Sequence, residues 1–165
     1  MSKVAVIMGS KNDLTTVQPA LDILKKFEIT NEVRVISAHR TPDEARKFAS
    51  EAISEGIEVI IAAAGKAAHL GGFIAAYTTL PVIGLPVMSS TLDGLDSLLS
   101  MVQMPPGVPV ACVAINGALN AGLLAVQILA LKDERLRKEL DNYKKTMREN
   151  VINDDITISK EASGK

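Results

Sequence analysis

Val4-Ala5-Val6-Ile7-Met8-Gly9-Ser10-Lys11-Asn12-Asp13 decides how this chain is read. Five apolar residues rich in branched side chains make a strand-length run, and Gly-Ser ends it. Beyond it, Leu14, Val17, Leu21, Leu24 and Phe27 recur three or four residues apart, the spacing of a helix with one apolar face. Strand, short loop and helix make half of a βαβ unit, and the pattern repeats. Val33-Arg34-Val35-Ile36 and Val59-Ile60-Ile61-Ala62 are further strand-length runs, and the segment between them opens on Pro42, Asp43 and Glu44, as helices do. Runs over 81–87 and 108–115 read as two more buried strands, with helices expected over 67–77 and from 116 onward. The fold class is therefore α/β, with a parallel sheet covered on both faces.

Composition narrows the function. Lys+Arg 18 against Asp+Glu 19 leaves no excess charge to attract a polyanion. Aromatic residues are 3% and Trp is absent, so the stacking platforms of single-stranded nucleic-acid binders are missing, and no nucleic-acid partner is expected. The apolar stretch over 117–131 is interrupted by Asn120 and Gln127 and falls short of the roughly 18 to 20 residues that span a bilayer, so no membrane partner is expected either. With no basic leader before the first strand, the expected location is the cytoplasm. Cys112 lies within an apolar run without an adjacent cation and reads as a small core residue rather than a nucleophile. The six methionines are scattered and read as filler.

At 165 residues the chain suits one domain. Residues 133–150 are strongly charged, with Leu136, Leu140, Tyr143 and Met147 at helical spacing, a stripe that needs a surface to cover it. The expected organisation is a single domain over 1–152 and a loose polar tail over 153–165.

In a parallel α/β sheet, ligands bind beyond the C-terminal strand ends, which directs attention to the loops at 9–13, 37–41, 64–72, 87–94 and 116–120. The first, with Gly9 and Ser10 at a helix start, offers free N–H groups to an anion such as phosphate, although it is neither a dinucleotide fingerprint nor a P-loop, and Gly-Ser with an Asp cap is common in structural turns. The second, Ser37-Ala38-His39-Arg40-Thr41-Pro42, sets an imidazole beside a guanidinium, suiting His39 to acid–base work and Arg40 to clamping phosphate. The third, Gly65-Lys66-Ala67-Ala68-His69-Leu70-Gly71-Gly72, supplies small residues that let a flat ring approach the backbone. Two histidines without a carboxylate cluster are too few for a metal site. The residues alone point to acid–base chemistry on a small, planar, phosphorylated metabolite.

Taken together these segments resemble the PurE family. The resemblance rests on Met8-Gly9-Ser10-Lys11-Asn12-Asp13, Ser37-Ala38-His39-Arg40-Thr41-Pro42-Asp43, Ala67-Ala68-His69-Leu70 and Gly94-Leu95-Asp96-Ser97-Leu98-Leu99-Ser100-Met101-Val102-Gln103-Met104-Pro105, in order, within residues 3–131. It implies a flavodoxin-like three-layer α/β/α fold, a homo-octamer whose C-terminal helices pack on neighbouring subunits, and a reaction without metal or organic cofactor. It further implies a mutase of purine biosynthesis that converts N5-carboxyaminoimidazole ribonucleotide to the 4-carboxy isomer, with a functional link to the synthetase that makes the carbamate. By position, His39 would be the general acid/base. Ser10, Asn12 and Arg40 would hold phosphate and Asp13 the ribose hydroxyls. Ser37, Ala38, Gly65, Ala67, Ala68, His69 and Leu70 would line the pocket of the ring and carboxylate, and Lys66 in the same loop would either meet a carboxylate or CO2 or face solvent.

Four positions depart from that mutase pattern: Asn12 stands where Ser is usual, Ala63 and Lys66 where Gly is usual, and Gly71 where Pro is usual. Lys66 is the largest departure, because a second class in the family carboxylates aminoimidazole ribonucleotide directly with CO2 and carries a basic residue in the corresponding loop. The readings set against the mutase are therefore that carboxylase, a non-catalytic nucleotide-binding relative, and an unrelated flavin carrier, which the shortage of aromatic residues near the loops disfavours.

Overall fold

The computed structural model describes residues 2–163, and the chain divides into two compact units after Leu129. In the first unit five parallel strands form one sheet: β1 (Lys3–Met8), β2 (Thr30–Val35), β3 (Ile57–Gly65), β4 (Val82–Val87) and β5 (Ala111–Cys112), in the order β2-β1-β3-β4-β5. That order is the flavodoxin-like one, and it reverses direction between β1 and β3, where the loops part and a ligand can enter. The connecting helices are α1 (Leu14–Lys26), α2 (Pro42–Glu51), α3 (Leu70–Ala75), α4 (Leu95–Val102) and α5 (Ala118–Ala130).

Strand alternation explains the layers. Ala5, Ile7, Ile60, Ala62 and Ala64 turn to one face, where they form a buried cluster with Ala45, Phe48 and Ala49 of α2, Leu70 and Ile74 of α3, and Met101 of α4. Val4, Val6, Ile61 and Ala63, of the opposite parity, are equally buried on the other face. α1 and α5 pair closely with each other: a Cβ on Gly122 would lie 3.1 Å from the Ala20 carbonyl oxygen, so only glycine lets these backbones approach so far. The α/β fold with a parallel sheet is thus as the strand runs indicated.

Several local expectations need correction. β2 is an edge strand with Val33 40% and Val35 56% exposed, so the sheet is not covered throughout. The run over 108–115 yields only the two-residue, part-exposed β5, because Pro105, Gly107 and Pro109 break the ladder on its N-terminal side. The helix expected over 67–77 is confined to Leu70–Ala75, and α4 arises within a segment read from the sequence only as part of a motif.

The second unit is dominated by α6 (Glu134–Ala162). Asp133 caps it, its carboxylate accepting from the N–H groups of Arg135 at 2.9 Å and Leu136 at 3.2 Å. Ion pairs Arg135–Glu139 at 2.9 Å and Arg137–Glu134 at 3.1 Å lie along its first turns. The helix expected to stop at Asn150 runs on through Ala162, so residues 153–162 of the expected tail are polar but helical rather than loose, holding neither Gly nor Pro, and residues 164–165 lie outside the described ones. Among the described residues no helix is long and apolar enough to cross a membrane.

Candidate active site

A cavity of about 640 Å³ opens at the C-terminal ends of β1, β2, β3 and β4. Backbone pairing brings its loops together: the Gly9 N–H donates to the Ala63 carbonyl at 3.1 Å, the Ile36 N–H to the Met8 carbonyl at 2.9 Å, and Gly65 is in register with Val87.

In the first loop Ser10 caps a 3-10 turn (Lys11–Asp13) that leads directly into α1; its Oγ accepts from the Asn12 N–H at 3.3 Å, leaving the hydroxyl proton free to donate. Asp13 closes the turn and faces the cavity, where burial pushes its carboxyl above the usual carboxylate range against the opposing pull of the Ser10 backbone and the Arg40 charge.

The second loop is clamped on itself. The Thr41 N–H and hydroxyl both donate to the Ser37 carbonyl, at 2.8 and 3.1 Å, and the Thr41 Oγ1 accepts from the Ser37 N–H at 2.9 Å. Within this knot the Arg40 N–H donates to the Ser37 hydroxyl at 3.2 Å, while its Nη2 reaches across to the Gly9 carbonyl at 2.7 Å. Arg40 therefore ties the loop after β2 to the loop after β1 and adds fixed positive charge beside the start of α1, an anion cradle.

His39, exposed, meets His69 on the third loop with Nε2 2.9 Å from Nδ1 and the rings nearly perpendicular. One nitrogen donates to the other, so the pair holds a proton that can be given or taken. Gly65 lets β4 approach: a Cβ there would meet the Val87 carbonyl oxygen at 3.3 Å. No cluster of three or more His, Cys, Asp or Glu side chains suited to a metal occurs among the described residues.

Ser10, Asn12, Asp13, Ser37, Ala38, His39, Arg40, Gly65, Lys66, Ala67, His69 and Leu70 all line the cavity. Ala68 does not; it is fully buried in the core cluster, because the backbone of the third loop turns it inward between two exposed neighbours. Sequence reasoning singled out no residue of the 87–94 loop, yet Val87, Met88 and Ser89 form one wall. The signal was the position of that loop at a strand end. Asn116 stays outside the cavity but braces this wall, its Oδ1 accepting from the Met88 N–H at 2.9 Å. Cys112 lies elsewhere, half-buried, with its thiol pushed up by burial, the state of an inert core thiol.

A guanidinium beside a helix start and two imidazoles in hydrogen-bond contact share one cavity at the switch point of a doubly wound, parallel α/β sheet, an arrangement able to hold a small anion and to relay a proton. The chain belongs to the AIR carboxylase family, whose sequence model matches residues 3–150. It is 57% identical over 152 residues to the N5-carboxyaminoimidazole ribonucleotide mutase of Saccharolobus solfataricus, covering 92% of this chain and 96% of that one. It is also 54% identical to the phosphoribosylaminoimidazole carboxylase of Candida glabrata, over 90% of this chain but only 26% of that longer protein. The crystal structure of Treponema denticola PurE superposes with a TM-score of 0.86 at 28% identity, covering 94% of this chain and 97% of that one.

Proposed function

We propose that this protein is a mutase of purine biosynthesis that converts N5-carboxyaminoimidazole ribonucleotide to 4-carboxy-5-aminoimidazole ribonucleotide. The observation that carries the reading is the His39–His69 pair placed in one cavity with the Ser10–Arg40 anion cradle. Kinship to mutases that align over nearly their whole length supports it.

The substrate's phosphate sits at the start of α1 against Ser10, Asn12 and Arg40, and the ribose hydroxyls donate to Asp13. The carbamate C–N bond breaks, the nitrogen takes a proton from His39 and CO2 is released into the cavity. The imidazole C4 then attacks that CO2, a C–C bond forms, and the C4 proton passes to His39. The net change moves one carboxyl from nitrogen to carbon and one proton from carbon to nitrogen, so no oxidant, reductant or outside acid is consumed. Holding CO2 against C4 replaces a bimolecular encounter by a local one, a large gain in effective concentration. The small walls of Ala38, Ala64, Gly65 and Ala67 suit that confinement.

The reading extends to a cytoplasmic homo-octamer, functionally linked to the synthetase that supplies the carbamate. Exposed Met147, Val151, Ile152, Ile156 and Ile158 on α6 are the kind of apolar surface that a neighbouring subunit covers. Lys66 favours a second reading, direct carboxylation of aminoimidazole ribonucleotide, because it adds an exposed cation to the cavity. Initial rates with the carbamate, and separately with aminoimidazole ribonucleotide plus saturating bicarbonate, decide between them. Faster turnover of the carbamate is expected; preference for the second pair makes the protein a carboxylase, and inactivity with both leaves a non-catalytic nucleotide binder.

A further inference from the structure

Lys66 is built against its own backbone preference. Its φ of +57° places a long side chain in the left-handed region, which favours glycine, at the last turn of chain before the small residues Ala67 and Ala68. Strain of this kind is held by the surrounding structure and clusters at ligand sites. The Lys66 side chain is exposed, lines the cavity, and takes part in no hydrogen bond or ion pair among the described residues.

The other lining cation is already committed. Arg40 spans the first two loops through the Gly9 carbonyl and the Ser37 hydroxyl, and Asp13 faces its charge. Lys66 instead belongs to the third loop, three residues before His69, whose ring touches His39. The two cations therefore stand on different loops of one cavity: Arg40 on the loop after β2, tied to the loop after β1, and Lys66 on the loop after β3 that also carries His69. Under the mutase reading, on which this inference rests, the ligand has two anionic ends, a phosphate and the carboxyl group that moves. Among the described residues, apart from Asp13, Arg40 and the two imidazoles, no lining residue other than Lys66 brings a charged side chain to the cavity.

We propose that Lys66 is a specificity-determining residue that binds the migrating carboxylate, so that this enzyme selects carboxylated over uncarboxylated aminoimidazole ribonucleotides. An ammonium is a compact point charge on a flexible stem and can follow a carboxylate from nitrogen to the neighbouring ring carbon, which a fixed bidentate fork could not do as readily.

The test measures binding of 4-carboxy-5-aminoimidazole ribonucleotide and of 5-aminoimidazole ribonucleotide to wild type, Lys66→Gly and Lys66→Arg, with steady-state kinetics on the carbamate. Glycine suits the left-handed backbone, so Lys66→Gly should fold and melt no lower than wild type. Loss of one charge-assisted hydrogen bond should weaken the carboxylated ligand at least about tenfold, leave the uncarboxylated one within about twofold, and raise KM more than it lowers kcat. Lys66→Arg should recover most of the affinity. Equal weakening of both ligands would move Lys66 to the phosphate and overturn the proposal, as would no change in either or a lower melting temperature for Lys66→Gly. If wild type binds neither ribonucleotide, the mutase reading falls and the proposal with it; if it binds both and Lys66→Gly changes nothing, the proposal alone falls.

Discussion

His39 Nε2 and His69 Nδ1 stand 2.9 Å apart although 30 residues separate them in the chain. The contact exists because β1 lies between β2 and β3, so that loops from two strands that are not neighbours converge over its C-terminal end. Two imidazoles in hydrogen-bond contact cannot both present protons to each other, so whichever state His39 takes, His69 must answer it.

In the proposed mechanism, replacing His39 with Asn deletes proton transfer while keeping a polar side chain. Turnover of the carbamate should fall by about 10²- to 10⁴-fold, the usual worth of a positioned acid/base, with ribonucleotide binding largely retained in calorimetry. Turnover equal to wild type would remove His39 from the mechanism.

His69→Phe keeps a ring but loses the hydrogen bond, worth about 1 kcal/mol, so kcat should drop roughly fivefold with KM little changed. In the His39→Asn background the same change should cost almost nothing, because the partner is gone. Additive losses in the double variant would show that the two histidines act separately.

Arg40 contributes both a charge and a brace. Arg40→Lys keeps the charge but cannot span Gly9 and Ser37 while offering a fork to phosphate. Losing charge-assisted hydrogen bonds at about 1.5 to 3 kcal/mol each should raise KM roughly tenfold or more. An unaltered KM would place the phosphate elsewhere.

Asp13 supplies a pH dependence. Burial raises its pKa above the ordinary 3.8 in the folded protein, so the ionised carboxylate costs stability at neutral pH. Stability from the neutral acid is complete below the unfolded value and lost as pH rises through the folded one. Asp13→Asn should therefore melt at or above the wild-type temperature at pH 7, with the difference shrinking as pH falls toward 3.8, while ribonucleotide affinity declines. Thermal scans at the two pH values check this, and a variant less stable at pH 7 would contradict it.

Cys112 should be dispensable. Burial holds its thiol protonated, so alkylation at neutral pH should run slower than for free cysteine, and Cys112→Ala should keep wild-type turnover. Rapid labelling that also inactivates would bring the thiol into the reaction.

The fold was legible wherever burial dictates sequence. β1, β3 and β4 are buried along most of their length and announce themselves as apolar runs, whereas edge strand β2 and two-residue β5 are marked by their runs but are less buried, and β5 shorter, than those runs predict. The loops carrying Ser10, His39 and His69 were legible because residues of unusual chemistry stand just past strand ends. The Ser89 wall was not: Ser89 Oγ lies 3.1 Å from an Asp96 carboxylate oxygen and 3.1 Å from the Thr91 carbonyl, a local turn network that nothing in the spacing signals. Ala68 turns its side chain into the core rather than the cavity because adjacent loop residues face opposite ways, and only the backbone decides which is which.

The most direct test of the central claim follows the carboxyl carbon. Carbamate substrate labelled with carbon-13 in its carboxyl group is converted by the protein in unlabelled bicarbonate buffer, and the product carboxyl is read by NMR. A mutase that holds CO2 in the cavity yields product carrying the label, at a rate independent of added bicarbonate. Product whose carboxyl comes from the buffer, formed at a rate that rises with bicarbonate, would contradict it.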